Sequence, residues 1–77
     1  MGTVYESDGI RVIVYTNDHN PPHCHVIHKD WWVKINIQGF TVMDFGGKKL
    51  PPLKEVIALT KAQRYEIGKT WRDYHGN

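Results

Sequence analysis

His23-Cys24-His25-Val26-Ile27-His28-Lys29-Asp30-Trp31-Trp32-Val33-Lys34-Ile35-Asn36-Ile37 reads as two β-strands and the tight turn between them. The period is two throughout. His23, His25 and Ile27 alternate with Cys24, Val26 and His28, and Trp31, Val33, Ile35 and Ile37 alternate with Trp32, Lys34 and Asn36. Lys29-Asp30 is the polar pair that closes the hairpin. If Cys24, Val26, Val33, Ile35 and Ile37 face the core, then His23 and His25 are expected on the opposite face together with Trp32 and Lys34.

Outward from this hairpin the first half of the chain keeps the same character. Residues 10–15 (Ile-Arg-Val-Ile-Val-Tyr) are apolar on both alternating sets except at Arg11, which suits an inner strand, and Val4 and Tyr5 suit a short leading strand before a Ser7-Asp8-Gly9 turn. Gln38-Gly39 predicts a second hairpin turn, and residues 40–45 the last strand. Gly46-Gly47-Lys48-Lys49 and Pro51-Pro52 then break the pattern, and the period changes to that of a helix. Over residues 53–74 a 100° step places Leu53, Val56, Ile57, Leu59, Ile67, Trp71 and Tyr74 on one arc, with Lys54, Lys61, Lys69 and Arg72 opposite. Thr60 and Gln63 interrupt the arc at capping-box spacing, so one helix and a helix pair broken near Thr60 both fit. The expected architecture is a single α+β domain over residues 1–77. Residues 3–47 supply strands and a histidine-containing loop, forming a small antiparallel sheet of three to four strands. The helical region of residues 53–74 packs on one face of it. No internal repeat or low-complexity segment is present.

A domain of 77 residues is small enough that a metal, a partner or a second copy of the chain often supplements its core. Cys24 is the only cysteine, which excludes a disulfide within the chain and suggests a reducing, cytoplasmic location. No apolar run is long enough to span a bilayer, so no membrane role is expected. The net charge of +2 is unevenly distributed: residues 1–47 sum to about −2 and residues 48–77 to about +4. The basic half carries Lys54, Lys61, Lys69 and Arg72, a solvated helix face or a surface for nucleic acid or an acidic protein.

Chemistry concentrates in residues 17–25, Asn17-Asp18-His19-Asn20-Pro21-Pro22-His23-Cys24-His25, which hold three of the five histidines. Imidazole is both the commonest metal ligand and the side chain that titrates nearest neutrality. Two histidines two apart in a strand share a face at about 6 to 7 Å between Cα atoms, within reach of one divalent ion. His19 would be a third ligand, and Asp18 a fourth or an acceptor for a ring N–H. Without a metal, His19, His23 and His25 are acid–base candidates for cleaving RNA by attack of the 2′-hydroxyl, with Arg11 and Lys34 holding phosphate and Trp32 stacking a base. The plainest reading is structural: Asn, Asp and Pro shape the loop, and the histidines support it. Whether His19 joins the other two depends on the loop. Cys24 reads as a small buried apolar residue, and Trp31 and Trp71 as core.

Gly9-Ile10, the aliphatic run through Tyr15 and Asn17-Asp18-His19-Asn20-Pro21-Pro22-His23-Cys24-His25-Val26 resemble a family of small bacterial proteins grouped as a domain of unknown function. Its motif runs Asn-Asp/Glu-His-x-Pro-Pro-His-x-His-Val, and the later Leu50-Pro51 and the helix containing Trp71 are similar to the family's closing helix. The paired Trp31-Trp32 departs from the small-residue turn commoner there. The resemblance implies the toxin-like half of a two-gene toxin–antitoxin pair, and hence a small cognate protein partner and a nucleic-acid target. A non-enzymatic inhibitor of mobile-element origin that occludes a macromolecular partner is the alternative expectation.

Overall fold

A computed structural model describes residues 2–16 and 19–76. Among them are five strands, β1 (Gly2–Ser7), β2 (Ile10–Val14), β3 (His23–Ile27), β4 (Trp31–Asn36) and β5 (Thr41–Gly47), then two helices, α1 (Leu53–Ala62) and α2 (Arg64–His75). The strands form one antiparallel sheet in the order β1-β2-β3-β4-β5. The α+β architecture is as expected, but the sheet has five strands rather than three to four. The leading segment at Val4 and Tyr5 is a full edge strand that pairs along β2 from Gly2↔Val14 to Ser7↔Ile10.

Turn chemistry sets the registers. Asp8 (φ 52°) and Gly9 (φ 79°) both adopt positive φ, the conformation that a two-residue hairpin matched to the twist of its strands demands. Between β4 and β5 the turn takes residues 37–40 rather than Gln38-Gly39 alone. The Asn36 side-chain oxygen accepts the Gln38 N–H at 2.8 Å, and Phe40 is left-handed, so β5 begins one residue later than the apolar pattern suggests. Its ladder shifts between Lys34↔Asp44 and Ile35↔Val42, which leaves Met43 as the extra residue of a bulge.

Val12, Val14, Cys24, Val26, Trp31, Val33 and Ile35 from the sheet meet Val56, Ile67 and Trp71 from the helices in one apolar cluster. The cross-strand pairs Val12↔Val26, Val26↔Val33 and Cys24↔Ile35 put these sheet residues on the helix-facing side, as the period-two reading requires. Lys54, Lys61, Lys69 and Arg72 are exposed, also as expected. The break between the helices falls at Gln63, not near Thr60. Thr60 is buried within α1, and its hydroxyl donates to the Val56 and Ile57 carbonyls at 3.1 and 3.0 Å, so it satisfies itself inside the helix instead of capping the next one.

Candidate functional site

On the sheet face turned from the core, register builds two rows: Glu6, Arg11, Ile27, Trp32 and Gly46, then Ile13, His25, Lys34 and Asp44. Trp32 is 36% exposed, Arg11 exposed, and His25 and Lys34 half-buried. This part of the expected open face is present.

His23 departs from it. It is only 4% exposed, and its ring lies 5.5 Å from that of Trp71 in α2. The cause is where His23 sits, at the first position of β3. The last turns of α2 cross that end of the sheet, with Tyr74 against Gly2 and the His75 ring nitrogen Nε2 at 3.2 Å from the Tyr15 carbonyl. Face alternation orders the middle of a sheet, but at its end a helix can pack against either face. Rings from both layers therefore meet there. His25 is edge-on to Tyr15 at 4.8 Å and to His23 at 5.1 Å, His23 tilts against Trp71, and Trp71 lies 3.9 Å from His75. His75 closes the circuit through Tyr15.

Two tautomers follow from the acceptors. A carbonyl oxygen only accepts, so the proton lies on Nδ1 of His23, which donates to Pro21 at 2.8 Å, and on Nε2 of His75, which donates to Tyr15. In the neutral rings the lone pairs are then on Nε2 of His23 and Nδ1 of His75. His25 and His75 are half-buried, so each combines a supported ring with access from solvent. The indole N–H of Trp71 is buried and has no hydrogen-bond partner among the described residues.

The remaining candidates disperse. His19 is exposed on the loop and makes none of these ring contacts. Among the described residues no three His, Cys, Asp or Glu side chains are grouped to hold a metal ion. Asp18, with Asn17, lies outside the described residues. Cys24 is buried, and burial pushes its thiol up to about 12, which rules out a thiolate nucleophile near neutrality. His28 stacks on Trp31 at 4.9 Å and accepts the Asp30 N–H at 3.1 Å, a hairpin support remote from the ring cluster. Lys69 is bound to Asp73 at 2.9 Å, and that carboxylate raises its pKa above the ordinary value.

Sequence reasoning missed His75 and Tyr15. The available signal was Trp71-x-x-x-His75, a four-residue spacing that stacks two rings on one helix face. Nothing local connects that face to the Pro-Pro-His-x-His segment.

Residues 9–72 match the family model described as a domain of unknown function, DUF4160. The chain belongs to that family. The DUF4160 match spans the Pro-Pro-His-x-His segment, Trp32, Lys34 and Trp71, and it ends before His75. No curated protein and no solved structure matches the chain. Among the described residues no helix is long and apolar enough to cross a membrane.

Proposed function

We propose that this DUF4160 chain is a toxin-like protein that acts on RNA, with His25 and His75 as its acid–base pair. The observation that carries the reading is the convergence of three imidazoles at one end of the sheet, two of them half-buried. One imidazole takes the proton of a ribose 2′-hydroxyl as its oxygen attacks the adjacent phosphorus. The other protonates the 5′-oxygen as the P–O5′ bond breaks, leaving a 2′,3′-cyclic phosphate and a free 5′-hydroxyl. His23 is a positioning residue: tied to Pro21 and wedged between His25 and Trp71, it holds the neighbouring ring. Lys34, directly across from His25 in register, supplies positive charge to the phosphate.

The test is cleavage of single-stranded RNA in excess chelator. The parent protein is expected to cleave, His25→Gln and His75→Gln each to slow it by about 100-fold or more, and His19→Gln to leave it unchanged. No cleavage, or cleavage indifferent to both substitutions, overturns the reading. Cleavage that requires an added divalent ion overturns the acid–base roles and makes the histidines ligands instead.

A non-enzymatic reading has its own support. β5 is an edge strand whose Met43 (37%) and Phe45 (42%) are exposed, the kind of border to which a cognate protein adds a strand. In a toxin-like pair the two readings are compatible, with the partner on β5 and the RNA on the imidazole end.

A further inference from the structure

At the end of the sheet remote from the cluster of His23, His25 and His75, a concavity of about 330 Å³ opens beside the β3–β4 hairpin. Its surface is mainly apolar, and Ile27, His28, Trp31 and Trp32 line it together with Lys29, Asp30 and Lys48. Its volume falls at the low end of the small-ligand range of about 300–1,000 Å³, room for one planar group.

Trp32 is held flat. A Cβ at Gly46, its cross-strand neighbour, would come within 2.9 Å of the indole, so one ring face rests on the Gly46 backbone while the residue remains 36% exposed. An indole supported on one side and open on the other is a stacking platform. The charge around it is ordered too. Asp30 is engaged within the protein, its carboxylate 3.7 Å from the Lys49 ammonium. Lys29 and Lys48, both exposed, therefore give the lining its free positive charge. An aromatic floor with cations at its border matches a nucleotide, a base with an attached phosphate.

From these features we infer that the Trp31–Trp32 pocket binds one base of single-stranded RNA on the Trp32 indole, with the neighbouring phosphate at Lys29 and Lys48. The inference rests on the RNA reading above and adds where the strand lies. Trp32 and Lys34 are two residues apart on one face, about 6 to 7 Å, and Lys34 is directly opposite His25. A strand anchored at Trp32 thus runs along β3 and β4 past Lys34 to the imidazoles.

The test measures binding without turnover, using a fluorescently labelled 2′-O-methyl hexauridylate, which lacks the attacking hydroxyl, and anisotropy over a range of salt. Trp32→Ala is expected to weaken binding about tenfold and Trp32→Phe to restore it to within about threefold, as stacking on a π-face predicts. Lys48→Ala should reduce the slope of log affinity against log salt by about 0.7, the value for one phosphate contact on a single strand. Thermal melting of each variant checks that the fold is intact. No binding by the parent, or Trp32→Ala binding within twofold of it, overturns the pocket. An inactive protein that binds through Trp32 overturns the nuclease reading alone, and a nuclease whose affinity ignores Trp32 overturns the pocket alone.

Discussion

Cys24 shows how far placement alone controls chemistry. It sits between His23 and His25 in a motif crowded with reactive groups, yet strand phase turns it into the core, and burial raises its pKa from 9.0 to about 12. In the unfolded chain the thiol loses its proton from pH 9 upward, while in the folded chain it stays protonated until about pH 12. The unfolded state binds fewer protons in that window, so stability falls as pH rises, by roughly 1.4 kcal/mol per pH unit for this group. Urea unfolding of the parent and of Cys24→Ala, compared from pH 8 to 11, should show a steeper loss in the parent. Below pH 9 the contribution is complete and flat. Alkylation at pH 8 should leave the native thiol unmodified and label it once the protein is unfolded. His23 is the counterpart: its phase was legible, but its burial was not, because the group that buries it is Trp71, far along the chain.

The strands and turns were legible where a local rule governs them. Alternation assigned Val26, Val33 and Ile35 to the core and Trp32 to the outside, and Asp8-Gly9 announced its turn. Boundaries set by side-chain hydrogen bonds were not legible: Asn36 lengthens the β4–β5 turn, and Thr60 bonds back into α1, so the helix continues to Ala62. Gly47 closes β5 in a conformation reserved for glycine. Its φ is 122°, and a Cβ would come within 2.5 Å of the Trp31 Cα and 2.6 Å of the Asp30 carbonyl oxygen, both backbone atoms that cannot step aside. Gly47→Ala is expected to destabilise the domain by about 2 kcal/mol or more, read as a lower urea midpoint. It should also weaken oligonucleotide binding, since β5 forms one wall of the Trp32 pocket. Undiminished stability would mean that the β4–β5 end is held by other contacts.

Across the molecule, the apolar cluster among the described residues of this 77-residue chain joins one helix layer to one sheet face. At about 0.05–0.15 kcal/mol per residue, total stability should be roughly 4 to 12 kcal/mol. Trp71 is 2% exposed and joins the core cluster to the imidazole array. Trp71→Ala should cost about 3–5 kcal/mol, a large part of the total, and chemical denaturation should find it partly or wholly unfolded. Trp71→Phe should remain folded while altering the environment of His75, visible as a shift of the imidazole proton resonances. The α+β class, the core-facing strand positions and the exposed lysines of the helices were readable in the amino-acid order, because each depends on periods of two or 3.6 residues that span only a few neighbours. The meeting of Tyr15, His23 and His25 with Trp71 and His75 was not. His75 reaches the Tyr15 carbonyl across sixty residues, and that proximity comes from the docking of α2 over the end of the sheet, a fit of two surfaces that no local period encodes.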